Sequence, residues 1–493
     1  MSVSEGLWER IEPRCPHVAE GCGGCHWQHL RAEAQLEAKA DRVLQSLQHR
    51  ALGEPGALPL RPVLPAPAAW GYRNKMEFTF NPRGVLGLHP REDWGQVIPL
   101  RGCAIASPLM EEVLRAARRL VLELEVPLFD PDRHAGLLRQ LILRESAATG
   151  QLLIGLLTKP GELPQLEPLA AGLAAVSPRV SGVLHAVQSG VDHGPMEVVR
   201  VLHGQPTISE RLQGVEFEVG LLTFFQTNTA AAEALVGLVL EQCGPLAEAR
   251  VYDLFCGVGT FALPLARRAR EVVGLEVVEA SVAAARQNAA RNGLTNLELV
   301  AGEARLVVPT LPRRFGPPQV VVLDPPRSGA GGRVMRKVAR LNAERIVYVS
   351  CNPKSLAEDL KELLPSGYRL EAIQPVDLFP QTRHVETVVT LHKVPGVAPV
   401  PTRERRRRQA ARRAARAAAG QTATEAPGEV PDEVPDEIAD EIANEIAEEI
   451  ADEAPNQIAD QIADQIADEI ADEAAGGAPP SAQGPGSAAE GGP

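Results

Sequence analysis

Val251-Tyr252-Asp253-Leu254-Phe255-Cys256-Gly257-Val258-Gly259-Thr260 reads as a β-strand that ends in a glycine turn and opens a helix. Glycines at 257 and 259 let the backbone turn tightly and come close to a ligand. Glu276 follows Asp253 by 23 residues, at the end of the next apolar run. An acid there can accept hydrogen bonds from ribose hydroxyls, so loop and acid together point to a nucleoside cofactor. A full Gly-x-Gly-x-x-Gly is absent, because position 262 is Ala262. A structural turn with a helix-capping acid is the alternative.

Outward from this stretch, short apolar runs at 251–254, 271–275, 297–300, 320–323 and 346–349 alternate with helical stretches at 231–242, 279–292 and 355–363. That rhythm predicts an α/β fold, a doubly wound Rossmann-like sheet with helices on both faces. Ligands in such folds sit beyond the carboxyl ends of the strands. Upstream, 76–80, 137–143, 151–157 and 198–202 read as strands of a central α+β domain, and 28–50 reads as a helix. The Pro-rich 55–67 reads as a linker. We expect a Cys-cluster region and linker helix at 1–69, a central α+β domain at 70–220, a Rossmann-like domain at 221–394 and a tail at 395–493.

The formal charge of −13 belongs to the tail: residues 401–493 hold 21 acids and 8 bases, and the first 400 hold 42 of each. A nucleic-acid surface must then be a local patch, not a global field. An arginine-rich run at 403–416 precedes near-repeats of Glu-Ile-Ala-Asp whose four-residue period drifts around a helix, so the tail is expected to be disordered. The start, MSVSEGLWERIEPRC, has no signal pattern, and no apolar run reaches membrane-spanning length. Seven cysteines without an export signal argue for a reducing, cytoplasmic setting rather than a disulfide framework.

Two further strand ends carry reactive groups. Val320-Val321-Val322-Leu323-Asp324-Pro325-Pro326-Arg327 ends one strand, and Tyr348-Val349-Ser350-Cys351-Asn352-Pro353 ends the next. Asp-Pro-Pro alone suits an amino-methylating enzyme or a uracil methylase. The cysteine separates them, since amine methylation needs no thiol. Carbon 5 of uracil is a poor nucleophile until a thiolate adds to carbon 6 and places negative charge on carbon 5. A base must then remove the carbon-5 proton. Glu386, in Arg383-His384-Val385-Glu386, follows Cys351 by 35 residues and is a suitable base. Taken singly, the cysteine also reads as a small buried hydrophobe and the glutamate as a surface strand residue.

Together, Phe224-Phe225-Gln226-Thr227-Asn228, the Asp253 to Gly259 turn, Asp324-Pro325-Pro326-Arg327, Ser350-Cys351-Asn352-Pro353 and His384-Val385-Glu386 resemble the RNA (uracil-5-)-methyltransferase family. The resemblance covers about residues 15 to 393. It implies a class I methyltransferase using S-adenosyl-L-methionine, with Cys351 as nucleophile and Glu386 as base. It places Gln226, Phe255, Gly257, Glu276 and Asp324 around the cofactor and uracil. Thr260 and Glu303 fall where the family has polar cofactor contacts.

Cys15, Cys22 and Cys25 lie within eleven residues, and Cys103 is the natural fourth thiol. Four thiolates suit zinc or an iron–sulfur cluster, and spacing does not choose between them. The resemblance implies a [4Fe–4S] cluster, although six residues separate Cys15 from Cys22 where the family usually has five. The segment Trp70-Gly71-Tyr72-Arg73-Asn74-Lys75 mixes bases with aromatics, as phosphate contact plus base stacking would require, and it matches a family segment. The expected partner is RNA, ribosomal before transfer RNA. A monomer without membrane or obligate protein partner is expected. The family's N-terminal TRAM barrel is expected to be missing. A transfer-RNA enzyme, an amino-methyltransferase and an RNA-binding metalloprotein with a dead methylase site are the alternatives.

Overall fold

A computed structural model describes residues 10–50, 52, 56–91, 93, 95–189 and 194–396. The tail expected to be disordered falls at 397–493, outside the described residues. In chain order the elements begin with α1 (Ala32–His49), β1 (Lys75–Phe80), β2 (Leu86–Leu88), β3 (Ile98–Pro99) and α2 (Pro108–Glu123). Next come β4 (Leu138–Glu145), β5 (Leu152–Thr158), α3 (Leu166–Ala174), β6 (Val180–Gln188) and β7 (Met196–Gly204). These strands form one seven-stranded sheet, β3-β2-β1-β4-β5-β6-β7. Its covering helix α2 begins where Ser107 accepts from the Met110 amide, with Pro108 in the first turn. Leu109, Met110, Val113, Leu114, Ala117 and Val121 form its buried stripe.

A hairpin of β8 (Thr207–Leu212) and β9 (Val215–Gly220) leads into α4 (Thr229–Gln242) and β10 (Arg250–Leu254). The chain continues through α5 (Ala262–Ala266), β11 (Glu271–Glu276), α6 (Glu279–Arg291) and β12 (Leu297–Ala301). After two short helices come β13 (Val320–Leu323), α9 (Gly331–Leu341), β14 (Arg345–Ser350), α10 (Pro353–Leu363), β15 (Tyr368–Val376) and β16 (Glu386–Lys393); we number the two short helices α7 (Ala304–Val307) and α8 (Leu311–Phe315). The second sheet runs β12-β11-β10-β13-β14-β16-β15. Strand residues alternate between two cores. Val251, Val320, Val322, Val347 and Val349 face α4, α5 and α6. Tyr252, Leu254, Val321, Leu323, Ile346 and Tyr348 face α9, α10 and α1. This is the doubly wound α/β architecture expected from the alternating runs.

Three local expectations change. The first helix starts at Ala32, not 28, because Leu30 is drawn into a β-bridge with Arg10 and the Gln28 side chain accepts from the Cys15 amide. The Pro-rich 55–67 stretch is not a bare linker. Leu60 and Leu64 bridge to Ile373 and Val376 on β15, extending the sheet edge between prolines that interrupt a regular ladder. β16 enters antiparallel between β14 and β15, so the sheet is mixed at one end. Among the described residues, no helix is long and apolar enough to cross a membrane.

Candidate active site

β14 and β16 pair antiparallel from Arg345↔His392 to Ser350↔Thr387. One more step of that register sets Cys351 opposite Glu386. Residues directly opposite in an antiparallel pair project to the same face with Cβ atoms about 5 Å apart. The thiol and carboxyl therefore meet at the strand tips. Both line a cleft of about 450 Å³, its open mouth included, together with Arg73, Thr227, Arg327, Phe379 and His384.

The loop carrying Cys351 is held by its own motif. Ser350 Oγ donates to the Asn352 carbonyl at 3.0 Å. Asn352 caps α10 by accepting from the Lys354 amide at 3.1 Å, and Pro353 occupies the first turn. The Asn352 Nδ2 also donates to the Arg327 carbonyl at 3.0 Å, tying the loop to the Asp-Pro-Pro-Arg turn.

Burial sets the electrostatics. It lifts Glu386 to about 8, Asp324 adds to this, and Arg327 opposes it. Burial lifts Asp324 to about 7. The Cys351 thiol is raised by burial and then by Glu386 and Asp324, again opposed by Arg327. His384 is held well below its usual value by burial and then by Arg327 and His26, which keeps it neutral at pH 7. The cleft thus holds one carboxyl, Glu386, with a proton affinity near neutrality and one neutral imidazole, and Asp324 acts on them from nearby.

Beside it, the glycine turn follows β10. Phe255 takes φ +67° and Gly257 φ +53°. A Cβ on Gly257 would meet nothing within 4 Å, so the turn borders open space. Gly259, at φ +90°, admits no side chain because a Cβ would stand 1.9 Å from Leu263 Cδ1. Glu276 accepts from the Gly257 amide at 3.0 Å and from the Val278 amide at 2.9 Å. Asp253 is fully buried, and neither carboxyl oxygen finds a hydrogen-bond partner among the described residues. Gln226 and Thr260 are buried. Glu303 is exposed and pairs with Arg305 at 2.8 Å. Of the sequence-selected residues, Cys351 and Glu386 share the cleft, with Asp324 in electrostatic reach of both. Gln226 precedes the cleft residue Thr227. Phe255, Gly257, Thr260, Glu276 and Glu303 lie along the neighbouring strand tips.

Within Trp70 to Lys75, one residue faces the cleft: Arg73. Tyr72 and Asn74 are buried. Tyr72 donates to the Pro380 carbonyl at 2.9 Å, and Asn74 donates to the Gln226 carbonyl at 2.9 Å. They serve the frame and not an RNA surface. Arg327 and His384 stood inside quoted motifs without an assigned role; Thr227 had only motif membership. Phe379 gave no signal in the sequence.

The four cluster cysteines fall in one neighbourhood. Cys25 is lifted to about 12, first by burial and then by Cys103, Cys22 and Cys15, and burial lifts Cys103 to about 11. The Gly23 amide donates to the His89 carbonyl at 3.0 Å, and a Cβ there would stand 2.9 Å from that oxygen. Among the described residues, no three or more His, Cys, Asp or Glu side chains are drawn together tightly enough to form a ligand set for a metal ion.

A family model described as tRNA (Uracil-5-)-methyltransferase matches residues 208–308 and 315–394. An RNA methyltransferase of Gloeobacter violaceus, itself called uncharacterized, is 40% identical over 400 residues, covering 80% of this chain and 85% of its own. The chain belongs to the RNA (uracil-5-)-methyltransferase family. A Caldanaerobacter subterraneus member, named an uncharacterized RNA methyltransferase, is 35% identical over 390 residues, 78% of this chain and 85% of the relative. Among solved structures, the Pyrococcus abyssi tRNA (uracil-54, C5)-methyltransferase with S-adenosyl-L-homocysteine matches with a TM-score of 0.61 and 29% identity. It covers 75% of this chain and 86% of that one. The strand tips that carry Cys351 and Glu386 lie inside the region of this chain matched by the family model.

Proposed function

We propose that this family member methylates carbon 5 of a uridine in structured RNA, with Cys351 as covalent nucleophile and Glu386 as base. The pairing of thiol and carboxyl across β14 and β16, in a cleft flanked by Arg73 and Arg327, carries the reading. The Cys351 thiol gives its proton to water at the open mouth of the cleft, the thiolate sulfur bonds to carbon 6 of the uracil, and the pair of the carbon 5–carbon 6 double bond moves onto carbon 5. S-adenosyl-L-methionine, when bound, supplies the methyl group. Glu386 takes the carbon-5 proton, the carbon–sulfur bond breaks and the sulfur leaves as thiolate. A carboxyl lifted to about 8 has a proton affinity suited to that task near neutral pH. Arg327 offsets part of the burial cost at both groups.

The turn fits an adenosyl cofactor: open space at Gly257, an unpartnered buried carboxyl at Asp253, and Glu276 fixed by two amides. Gln226, Phe255, Gly257, Thr260, Glu276 and Asp324 would hold it, with exposed Glu303 at the rim. Cys15, Cys22, Cys25 and Cys103 suit a [4Fe–4S] cluster, with zinc as the alternative, by donor chemistry and by their mutual electrostatic reach. Such a group would supply positive charge for four thiolates, two of which, at Cys25 and Cys103, are buried. The cytoplasm is the proposed compartment.

Ribosomal RNA is the first substrate reading. Transfer RNA is the second, favoured by the substrate named for the Pyrococcus relative. RNA fragments of both kinds carrying 5-fluorouridine are expected to form a stable covalent adduct, because fluorine cannot depart as a proton. Adduct yield unchanged in Cys351→Ala would remove the nucleophile. The fragment that forms adduct names the substrate.

A further inference from the structure

Between β15 and β16, four consecutive carbonyls are each held by a different part of the chain. Leu378 O accepts from Asn228 Nδ2 at 2.8 Å, and Phe379 O from Lys39 Nζ at 3.0 Å. Pro380 O accepts from the Tyr72 hydroxyl at 2.9 Å. Gln381 O accepts from the His26 and Trp27 amides at 2.8 and 2.9 Å. Gln381 is buried and sits at φ +67°, a region that a non-glycine residue holds only where its surroundings enforce it. Gln35 on α1 enforces it. Its Oε1 accepts from the Gln381 amide at 2.9 Å, and its Nε2 donates to Gln381 Oε1 at 3.0 Å. The same Nε2 reaches the Trp27 and Leu30 carbonyls, both at 3.0 Å. Gln35 is 3% exposed, so no water competes for these bonds.

Three residues beyond Gln381 stands His384, its ring edge-on to Phe379 at 6.3 Å and to His26 at 5.7 Å. Two residues further is Glu386. The direction in which the chain leaves the left-handed turn therefore sets where this carboxyl enters the cleft.

The geometry points to residues 378–381 as the post on which the base is set, and to Gln35 as its positioning residue. This rests on the covalent reading above. Gln35 touches no reacting atom; it acts through Gln381 on Glu386. Cys351 lies on a loop held separately by Asn352, so loosening Gln35 slows proton removal from carbon 5 and leaves thiol attack intact.

The test uses the full chain and a uridine-containing RNA fragment. In Gln35→Met, which keeps the volume and deletes all four side-chain hydrogen bonds, the two to Gln381 included, kcat is expected to fall roughly tenfold or more, as small displacements of a reacting group do, with KM within about twofold. Uridine RNA should then accumulate as acid-stable covalent enzyme–RNA species, while 5-fluorouridine adduct yield stays at the wild-type level. Gln381→Gly adopts the turn without strain and removes only the side-chain half. It should show the same signature at smaller amplitude, and it decides alone if Gln35→Met fails to fold. Wild-type turnover in the folded variants, or a kcat loss without accumulated adduct, overturns the positioning role. A wild-type enzyme that forms no 5-fluorouridine adduct overturns the covalent reading itself, and the positioning role with it.

Discussion

Glu386 shows how one side chain can be set against the stability of its own fold. Its ordinary value is 4.5, and burial holds it near 8. Between those values the unfolded chain has released this proton and the folded chain keeps it. Stability contributed by the group is therefore present below pH 4.5 and is lost as pH rises through about 8. Glu386→Gln should raise Tm at pH 8 by a few degrees, from about 1–3 kcal/mol, and change it little at pH 5. The same substitution should abolish turnover and accumulate enzyme–RNA species. Melting curves at the two pH values, beside an activity profile that rises toward pH 8 in the wild type, check both. Equal melting shifts at pH 5 and 8 would refute the raised carboxyl. Cys351 and Glu386 could be singled out from sequence as candidates because the proposed chemistry demands a thiol and a base. The neutral, buried state of His384 could not, because it arises first from burial in the folded cleft and then from Arg327 and His26, residues 57 and 358 positions away in the chain.

At the scale of elements, the antiparallel entry of β16 brings the two reactive groups together. The parallel strands 251–254, 271–275, 320–323 and 346–349 were legible as apolar runs because both of their faces are buried, and the edge strand 297–300 because three of its four residues are apolar although only Leu299 is buried. β15 and β16 were not. Tyr368 to Val376 mixes Arg369, Glu371 and Gln374 among apolar residues, and Pro375 breaks the pattern. Their pairing, and with it the alignment of Cys351 with Glu386, left no periodic trace. The other device at this scale is Asn352, which caps α10 through Oδ1 and holds the Arg327 carbonyl through Nδ2. Asn352→Ser keeps a capping oxygen and loses the donor. It should leave Tm within about 2 °C and lower kcat about fivefold, the equivalent of one hydrogen bond of about 1 kcal/mol. A fall in Tm with unchanged kcat would show that the cap alone matters.

Across the whole molecule, the N-terminal segment is built into the second sheet's machinery. Lys39 on α1 forms a buried ion pair with Asp377 across 338 residues of chain, and Val43 and Leu47 pack in the core under β13 and β14. Contacts this remote in sequence cannot be read from spacing, which is why 28–50 was legible as a helix and its seat was not. Cys25 immediately precedes the two amides that hold Gln381. Protein purified without oxygen should be brown and carry about four irons, as the proposed cluster requires. Stripping the metal should speed hydrogen exchange in 377–384 more than in β1 or β4. A colourless zinc protein would replace the cluster, and unchanged exchange would uncouple the thiols from that loop. The order of the second sheet also bears on synthesis. β16 is the last of its strands to leave the ribosome, yet it must slot between two already made. On the proposed mechanism, a growing chain thus carries the sulfur without its proton acceptor until β16 emerges, so the two groups are united only when the sheet is complete.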